Sequence, residues 1–323
     1  MNVSRRHFLK YCLGSAATLG LSSSLLGNLD KVLATGGGPP IIWLAAANCT
    51  GCTVSLANRI AIDHPTDAAD LLISNVNLAY HPNLMGAAGS LAVQNALKVE
   101  QSGPFVLAVE GGIPTAFGGR CCYVWREKGV DMTAMQVVTR LAPKAAAVLS
   151  IGTCASFGGM SGAAPNPTAI QSVQALTGVS TINIPGCPAH PDWIVGTIAK
   201  LLTGATVSKD SYGRPTDFFG STVHSNCPRN GTPWATNFAQ EGLCLRDKGC
   251  KGPNTYSDCP GRKWNGGVNW CVGANALCIG CTESGFPDRF SPFFTSAGAV
   301  PLGHTAGPQT TSCSACHTQS QLP

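Results

Sequence analysis

From Ile41 to about Thr206 the chain alternates short, unbroken apolar runs with longer stretches compatible with helix, and beyond Thr206 the alternation stops. The runs are Ile41–Ala45, Leu71–Ile73, Phe105–Val109, Ala145–Ile151 and Thr181–Ile184. An apolar run bounded by Gly and Pro is what a strand covered on both faces of a parallel sheet looks like, because neither face alternates toward water. Segments such as Asp192–Leu202 are long enough for the crossover helices that parallel strands require. The pattern predicts a doubly wound α/β domain. In the remainder Gly, Pro, Asn and Cys dominate. Side chains alone give that half little with which to build a core, so another organiser is expected.

At 323 residues and 33.3 kDa the chain is well above the size at which small domains need staples, so size does not account for its 16 Cys. A hydrophobic fraction of 44% excludes disorder, collagen and coiled coil. The net charge of +5 comes from scattered side chains with no basic run to track a phosphate backbone, so nucleic acid is not an expected partner. At the N-terminus, Ser4-Arg5-Arg6-His7-Phe8-Leu9-Lys10 precedes a modest apolar stretch from Tyr11 to Leu29, then small residues around Val32-Leu33-Ala34. This reads as a twin-arginine export signal with the mature chain starting near Thr35; the plain alternative is a surface basic pair before a helix. That route carries folded proteins, which suits a chain that must take up a cofactor before crossing the membrane. No later segment reaches the ~20 apolar residues of a bilayer span, so the protein is expected in the periplasm, soluble or held to the membrane by a partner.

Cys49 and Cys52 follow the first run, Cys154 follows Val148–Ile151, and Cys187 follows Thr181–Ile184. Loops at the carboxyl ends of strands in an open α/β sheet converge on one crevice, so thiols from three loops arrive at one place. Each loop carries Gly, which lets backbone N–H groups approach sulfur and tune a cluster's potential. Four thiolates fit a 4Fe-4S cube or a zinc ion. Zinc ordinarily takes two close pairs about 15–20 residues apart. Here one pair joins two isolated cysteines far downstream, which favours iron-sulfur, and disulfides fit poorly with folded export.

These cysteines sit in longer strings: Trp43 to Cys52 ending in CTGC, VEGGIPT over Val109–Thr115, GTCASFGG over Gly152–Gly159, and PGCPAHPDW over Pro185–Trp193. In combination, and with the C-terminal pattern below, they resemble the small, electron-transferring subunit of nickel-iron hydrogenases, to about Phe294. The resemblance implies that Cys49, Cys52, Cys154 and Cys187 hold a proximal 4Fe-4S cluster beside an active site in a separate large subunit.

In the second half, His224 and Cys227 stand three apart, followed by Cys244 and Cys250. One imidazole and three thiolates form a four-point cage, and neutral His in place of a thiolate raises a cluster's potential, which suits an exit cluster. By resemblance this is the distal 4Fe-4S site. Cys259, Cys278 and Cys281 match the family's medial site, commonly 3Fe-4S with proline at the vacant corner of an NWPVG segment. This chain departs from that pattern with Asn269-Trp270-Cys271-Val272-Gly273. A fourth thiolate can hold a fourth iron, so a medial 4Fe-4S cluster on Cys259, Cys271, Cys278 and Cys281 is expected, at lower potential than a three-iron form. The alternative leaves Cys271 a packed free thiol. The extra cysteines of oxygen-tolerant relatives are Gly51 and Gly159 here, implying an ordinary proximal cube and oxygen sensitivity. The Glu that often precedes CTGC is Asn48, which removes an ionisable group; Glu110 remains, as an acid near the site or as a structural residue.

Past the resemblance, Cys313, Cys316 and His317 form C-x-x-C-H, the attachment motif of c-type haem. A tail this short cannot wrap a haem alone, so a sixth ligand, for which His304 is the candidate, and apolar cover have to come from elsewhere. Cys121 and Cys122 stay outside every set, and adjacent cysteines bridge each other poorly. The expected organisation is a signal peptide over 1–34, a flavodoxin-like doubly wound domain over 35–206, a loop-rich domain organised by iron-sulfur clusters over 207–294, and a tail over 295–323. The expected function is to relay electrons from hydrogen, split in the large subunit, through three clusters to a cytochrome or membrane-bound acceptor. The rivals are a stand-alone exported iron-sulfur carrier and a secreted protein stabilised by zinc or disulfides.

Overall fold

The computed structural model describes residues 40–59 and 77–294. The export segment, the run Leu71–Ile73, and the tail bearing His304, Cys313, Cys316 and His317 lie outside the described residues.

Five parallel strands form the main sheet: β1 (Ile41–Ala45), β2 (Leu78–Tyr80), β3 (Val106–Glu110), β4 (Ala147–Ile151) and β5 (Ile182–Ile184), in the order β2-β1-β3-β4-β5. This is the flavodoxin-like order, whose direction reverses between β1 and β3. β1 runs in register with β3 from Ile41 opposite Val106 to Ala45 opposite Glu110, and β3 continues onto β4 from Val106 opposite Ala147. The four apolar runs among the described residues therefore become strands, with ends shifted by no more than two residues, and Leu78–Tyr80 joins them as a strand no run announced.

Both faces of the sheet are covered, so alternate side chains feed two cores. Ile41, Trp43, Val106, Ala108 and Leu149 pack with Trp193, Ile194 and Ile198 of the helix Pro191–Leu202. Ile42, Leu44, Leu107 and Val109 pack on the other side with Ala92, Val93, Val137 and Leu141, from the helices Gly89–Ser102 and Ala134–Leu141. The second of these begins with a capping box, in which Gln136 N–H donates to Thr133 Oγ1 at 3.2 Å and Thr133 N–H to Gln136 Oε1 at 2.9 Å. The helix Pro191–Leu202 is buried along most of its length, including Trp193–Lys200, as a helix held between two layers must be. One layer is the sheet; the other is the loop-rich half, joined by Trp193 Nε1–H donating to Asp258 at 2.8 Å and by Arg262 paired with Asp192 at 3.3 Å.

The chain beyond Thr206 first returns to the sheet domain. Asn183 N–H donates to Gly213 O at 2.8 Å, and Phe218 and Phe219 bury beside Trp193. Packing therefore carries the first unit past residue 206 to about Phe219. The rest contains a side-chain core after all, made of Val223, Ala235, Leu245, Trp270, Val272, Leu277 and Cys278. The expectation of little core is corrected to a small one, formed because isolated apolar residues from separate turns meet where no periodicity announces them; Cys227, Cys250 and Cys259 pack against it.

Candidate metal centres

The first centre lies at the carboxyl end of the sheet, where β1 and β3 part. Ala47 and Gly112 exchange backbone hydrogen bonds at 3.1 and 3.2 Å, holding the two loops together. Asn48 Oδ1 accepts from Thr50 N–H at 3.0 Å, which turns the chain into a short helix over Gly51–Ala57, so Cys49 precedes that helix and Cys52 lies in its first turn. Cys154 lies in the first turn of a second short helix, Gly152–Phe157, and Cys187 in the loop after β5. The packing is close enough that side chains are excluded: a Cβ on Gly152, which has φ +80°, would stand 2.5 Å from Cys52 Sγ. Cys52 Sγ accepts from Ala189 N–H at 3.4 Å. Burial pushes the Cys52 thiol well up, and Glu110, Cys154 and Cys187 add to the rise. Cys187 is pushed up to about 11 by burial first, then by Cys154 and Cys49. The four thiols thus act on one another from one crevice, with Cys49 and Cys187 exposed at its mouth.

Beside this crevice Glu110, 2% exposed, gathers four donors. Its Oε1 accepts from the N–H groups of Cys52 and Thr53, each at 3.1 Å. Its Oε2 accepts from Trp43 Nε1–H at 3.2 Å and from the Thr53 hydroxyl. The carboxylate thereby supplies the N-terminal cap that the helix Gly51–Ala57 lacks from its own side chains. Thr53 Oγ1 also lies 3.5 Å from Nε2 of the buried His81. Asn83 N–H donates to His81 Nδ1 at 3.1 Å, which assigns the ring proton to Nε2. Burial pushes His81 down to about 4, so the ring is neutral. Sequence reasoning missed His81 and Thr53, because only the fold carries the end of β2 to the helix after β1.

His224, Cys227, Cys244 and Cys250 line one small, partly open cavity, together with Arg229, Arg246 and Val272. Arg229 N–H donates to Cys227 Sγ at 3.4 Å, and His224 N–H to Gly252 O at 3.1 Å. Burial raises the Cys250 thiol, as do Cys227 and Cys244, against hydrogen bonds to the backbone of Gly252 and Cys278. The remaining set is also assembled. Burial pushes Cys259 up to about 11, Cys278 to about 12 and Cys281 well up. The Cys271 thiol adds to the rise at both Cys259 and Cys281, so its sulfur lies near both. Cys121 is exposed and Cys122 packs against the second core of the sheet domain, away from all three sets.

Two backbone clasps fix the order of the sets. The Thr153 hydroxyl, next to Cys154, donates to Cys281 O and accepts from Gly186 N–H at 2.8 Å. Lys251 N–H, next to Cys250, donates to Cys278 O at 2.7 Å. The set Cys259–Cys281 therefore lies between the other two, although it comes last in sequence.

Around one zinc ion, with Zn–S near 2.3 Å, thiolates would stand about 3.8 Å apart. Among the described residues no group of three or more His, Cys, Asp or Glu is arranged to hold a single metal ion. A multi-iron cluster, carrying one iron per thiolate, takes thiol-rich donor sets whose sulfurs stand farther apart.

Two family profiles match the chain: "NADH ubiquinone oxidoreductase, 20 Kd subunit" over residues 49–201, and the C-terminal part of the "NiFe/NiFeSe hydrogenase small subunit" over residues 219–294. With the geometry, they define an iron-sulfur electron-transfer subunit built on a flavodoxin-like sheet. The periplasmic [NiFeSe] hydrogenase small subunit of Desulfomicrobium baculatum is 38% identical over 320 residues, spanning 92% of this chain and 100% of that one. The periplasmic [NiFe] hydrogenase small subunit 1 of Nitratidesulfovibrio vulgaris is 39% identical over 308 residues, spanning 91% and 94%. The solved [NiFeSe] hydrogenase of Desulfovibrio vulgaris Hildenborough superposes with a TM-score of 0.74 at 40% identity, covering 81% of this chain and 99% of that one. The chain belongs to the family of nickel-iron and nickel-iron-selenium hydrogenase small subunits. Such a subunit is the electron-transfer partner of a large subunit that carries the hydrogen-splitting centre, and iron-sulfur clusters are its cofactors.

Proposed function

We propose that this chain conducts electrons between the nickel-iron centre of its large subunit and an outside acceptor through three clusters in a row. Cys49, Cys52, Cys154 and Cys187 hold the proximal 4Fe-4S cluster, Cys259, Cys271, Cys278 and Cys281 a medial 4Fe-4S cluster, and His224, Cys227, Cys244 and Cys250 the distal 4Fe-4S cluster. The observation that carries this reading is the pair of clasps at Thr153 and Lys251, which join the medial set to each neighbour. Bound clusters supply one-electron storage; the chain supplies spacing, N–H donors to sulfur, and fixed charge. The large subunit is assigned to the face where Cys49 and Cys187 are exposed; the exposed apolar side chains Val54 and Met160 follow Cys49 and Cys154 closely in sequence.

An imidazole in place of one thiolate, at a partly open cavity, suits the exit end. Export to the periplasm by the twin-arginine route is supported by Ser4–Lys10 and by the periplasmic names of the relatives. Cys313, Cys316 and His317 attach a c-type haem in this reading, giving a path to a cytochrome or a membrane-bound acceptor. Spectroscopy of the purified heterodimer tests the relay: three distinct paramagnets on stepwise reduction support it, and fewer refute it. Haem staining after denaturing electrophoresis tests the tail, where an unstained band ends that branch alone.

A further inference from the structure

Lys251 occupies the junction of the distal and medial sets. It follows Cys250 directly, its N–H donates to Cys278 O at 2.7 Å, and its carbonyl accepts from the Thr255 hydroxyl at 2.7 Å and Asn254 N–H at 3.0 Å. The residue is 6% exposed, and Nζ is enclosed without a hydrogen-bond partner among the described residues. Other buried cations among the described residues have carboxylates: Lys200 has Asp217 at 2.6 Å, Arg214 has Asp210 and Glu283 at 2.7 and 2.8 Å, and Arg262 has Asp258 at 2.6 Å. An ammonium withdrawn from water without a counter-charge is strongly disfavoured, so one that stays buried needs an anion in the assembled protein. Clusters ligated by thiolates carry net negative charge, and two such ligand sets flank this residue.

We infer that Lys251 is a positioning charge for the medial and distal pair: its ammonium is balanced by the two bound clusters and holds both of their reduction potentials up. At the other end of the row the side chain is of the opposite type, since Glu110 sits against Cys52 with no cation among its partners in the described residues. A carboxylate beside the first centre and an ammonium between the last two tilt the row, so that an electron is held more weakly near the large subunit and more tightly toward the exit.

This inference rests on the reading that the sets hold clusters, and the test separates the two. On assembled heterodimer, midpoints are measured by redox titration followed by electron paramagnetic resonance, for wild type, Lys251→Met and Lys251→Arg. The methionine variant should show the medial and distal reduction equilibria weakened at least tenfold, 59 mV for one electron, with the proximal midpoint moved less and arginine restoring the values. A wild type without iron and sulfide defeats the functional reading itself. Full iron with unmoved medial and distal midpoints in Lys251→Met overturns the lysine's role alone. If the methionine variant does not assemble, the wild type decides: with lysine 15N-labelled at Nζ, pulsed resonance should detect nitrogen coupled to a reduced cluster, a coupling lost in Lys251→Arg. No such coupling overturns the inference.

Discussion

Replacing Glu110 by glutamine tests whether the carboxylate is the clamp that holds the first thiol loop. The carboxylate accepts four hydrogen bonds, two on each oxygen. Glutamine keeps one acceptor oxygen. If that oxygen serves the Cys52 and Thr53 amides, the new NH2 faces Trp43 Nε1–H and the Thr53 hydroxyl. The hydroxyl can turn and accept; the indole N–H cannot, and Trp43 is buried. One orphaned buried donor costs about 1–3 kcal/mol, and losing charge assistance on the two amide bonds costs about 1 kcal/mol each. The total is about 3–5 kcal/mol. The opposite amide orientation orphans two backbone N–H groups and is worse. With a urea m-value of about 3 kcal/mol/M, the midpoint should fall by about 1–1.7 M. Urea unfolding of the heterodimer, followed by tryptophan fluorescence and loss of visible absorbance, reads this directly. A shift below about 0.3 M would show that the network contributes little and refute the reasoning.

Cys271→Pro should remove one iron from the medial centre and replace its four-iron resonance by a three-iron one; an unchanged spectrum would return Cys271 to the status of a free thiol. Gly152→Ala puts a Cβ 2.5 Å from Cys52 Sγ at φ +80°, so the proximal signal should vanish while the other two persist; three intact signals would contradict the assigned geometry. Burial pushes His190 down to about 4, against the smaller opposing pulls of Asp192 and its hydrogen bond to Lys263 O. Its unfolded value lies near 6.5, so the unfolded chain binds a proton that the folded one refuses as pH falls from 6.5 toward 4. Stability from this residue is therefore complete above about pH 6.5 and drops by roughly 3 kcal/mol by pH 4. His190→Gln should flatten that part of the urea-midpoint profile, and an unaltered slope would argue against it.

Central strands were legible because β1, β3 and β4 are apolar on both faces, a pattern that survives without knowledge of their neighbours. Strand β2 was not, since Leu78-Ala79-Tyr80 offers three residues and, among the described residues, pairs with β1 alone. The thiol sets could be read from Gly-flanked cysteines at strand ends and from close downstream spacings. Their order in space could not, because the medial ligands follow the distal ones along the chain and only Thr153 and Lys251 reveal which set lies between. Nor could the charges that surround them be read: Glu110 was noticed for its motif, but its four donors come from segments brought together by the sheet, and Lys251 looks like any surface lysine until its burial is known. Phe218 and Phe219 show the same limit, because two aromatics in a polar stretch do not disclose which core they enter.

The account stands on the three ligand sets holding iron and sulfide rather than single ions or bare thiols. Quantifying iron, acid-labile sulfide and zinc in the assembled heterodimer tests this most directly. Three cubes predict about twelve irons and about twelve sulfides attributable to this chain, four of each per cube, with no stoichiometric zinc. Zinc at the sites, or a protein without sulfide, would contradict it.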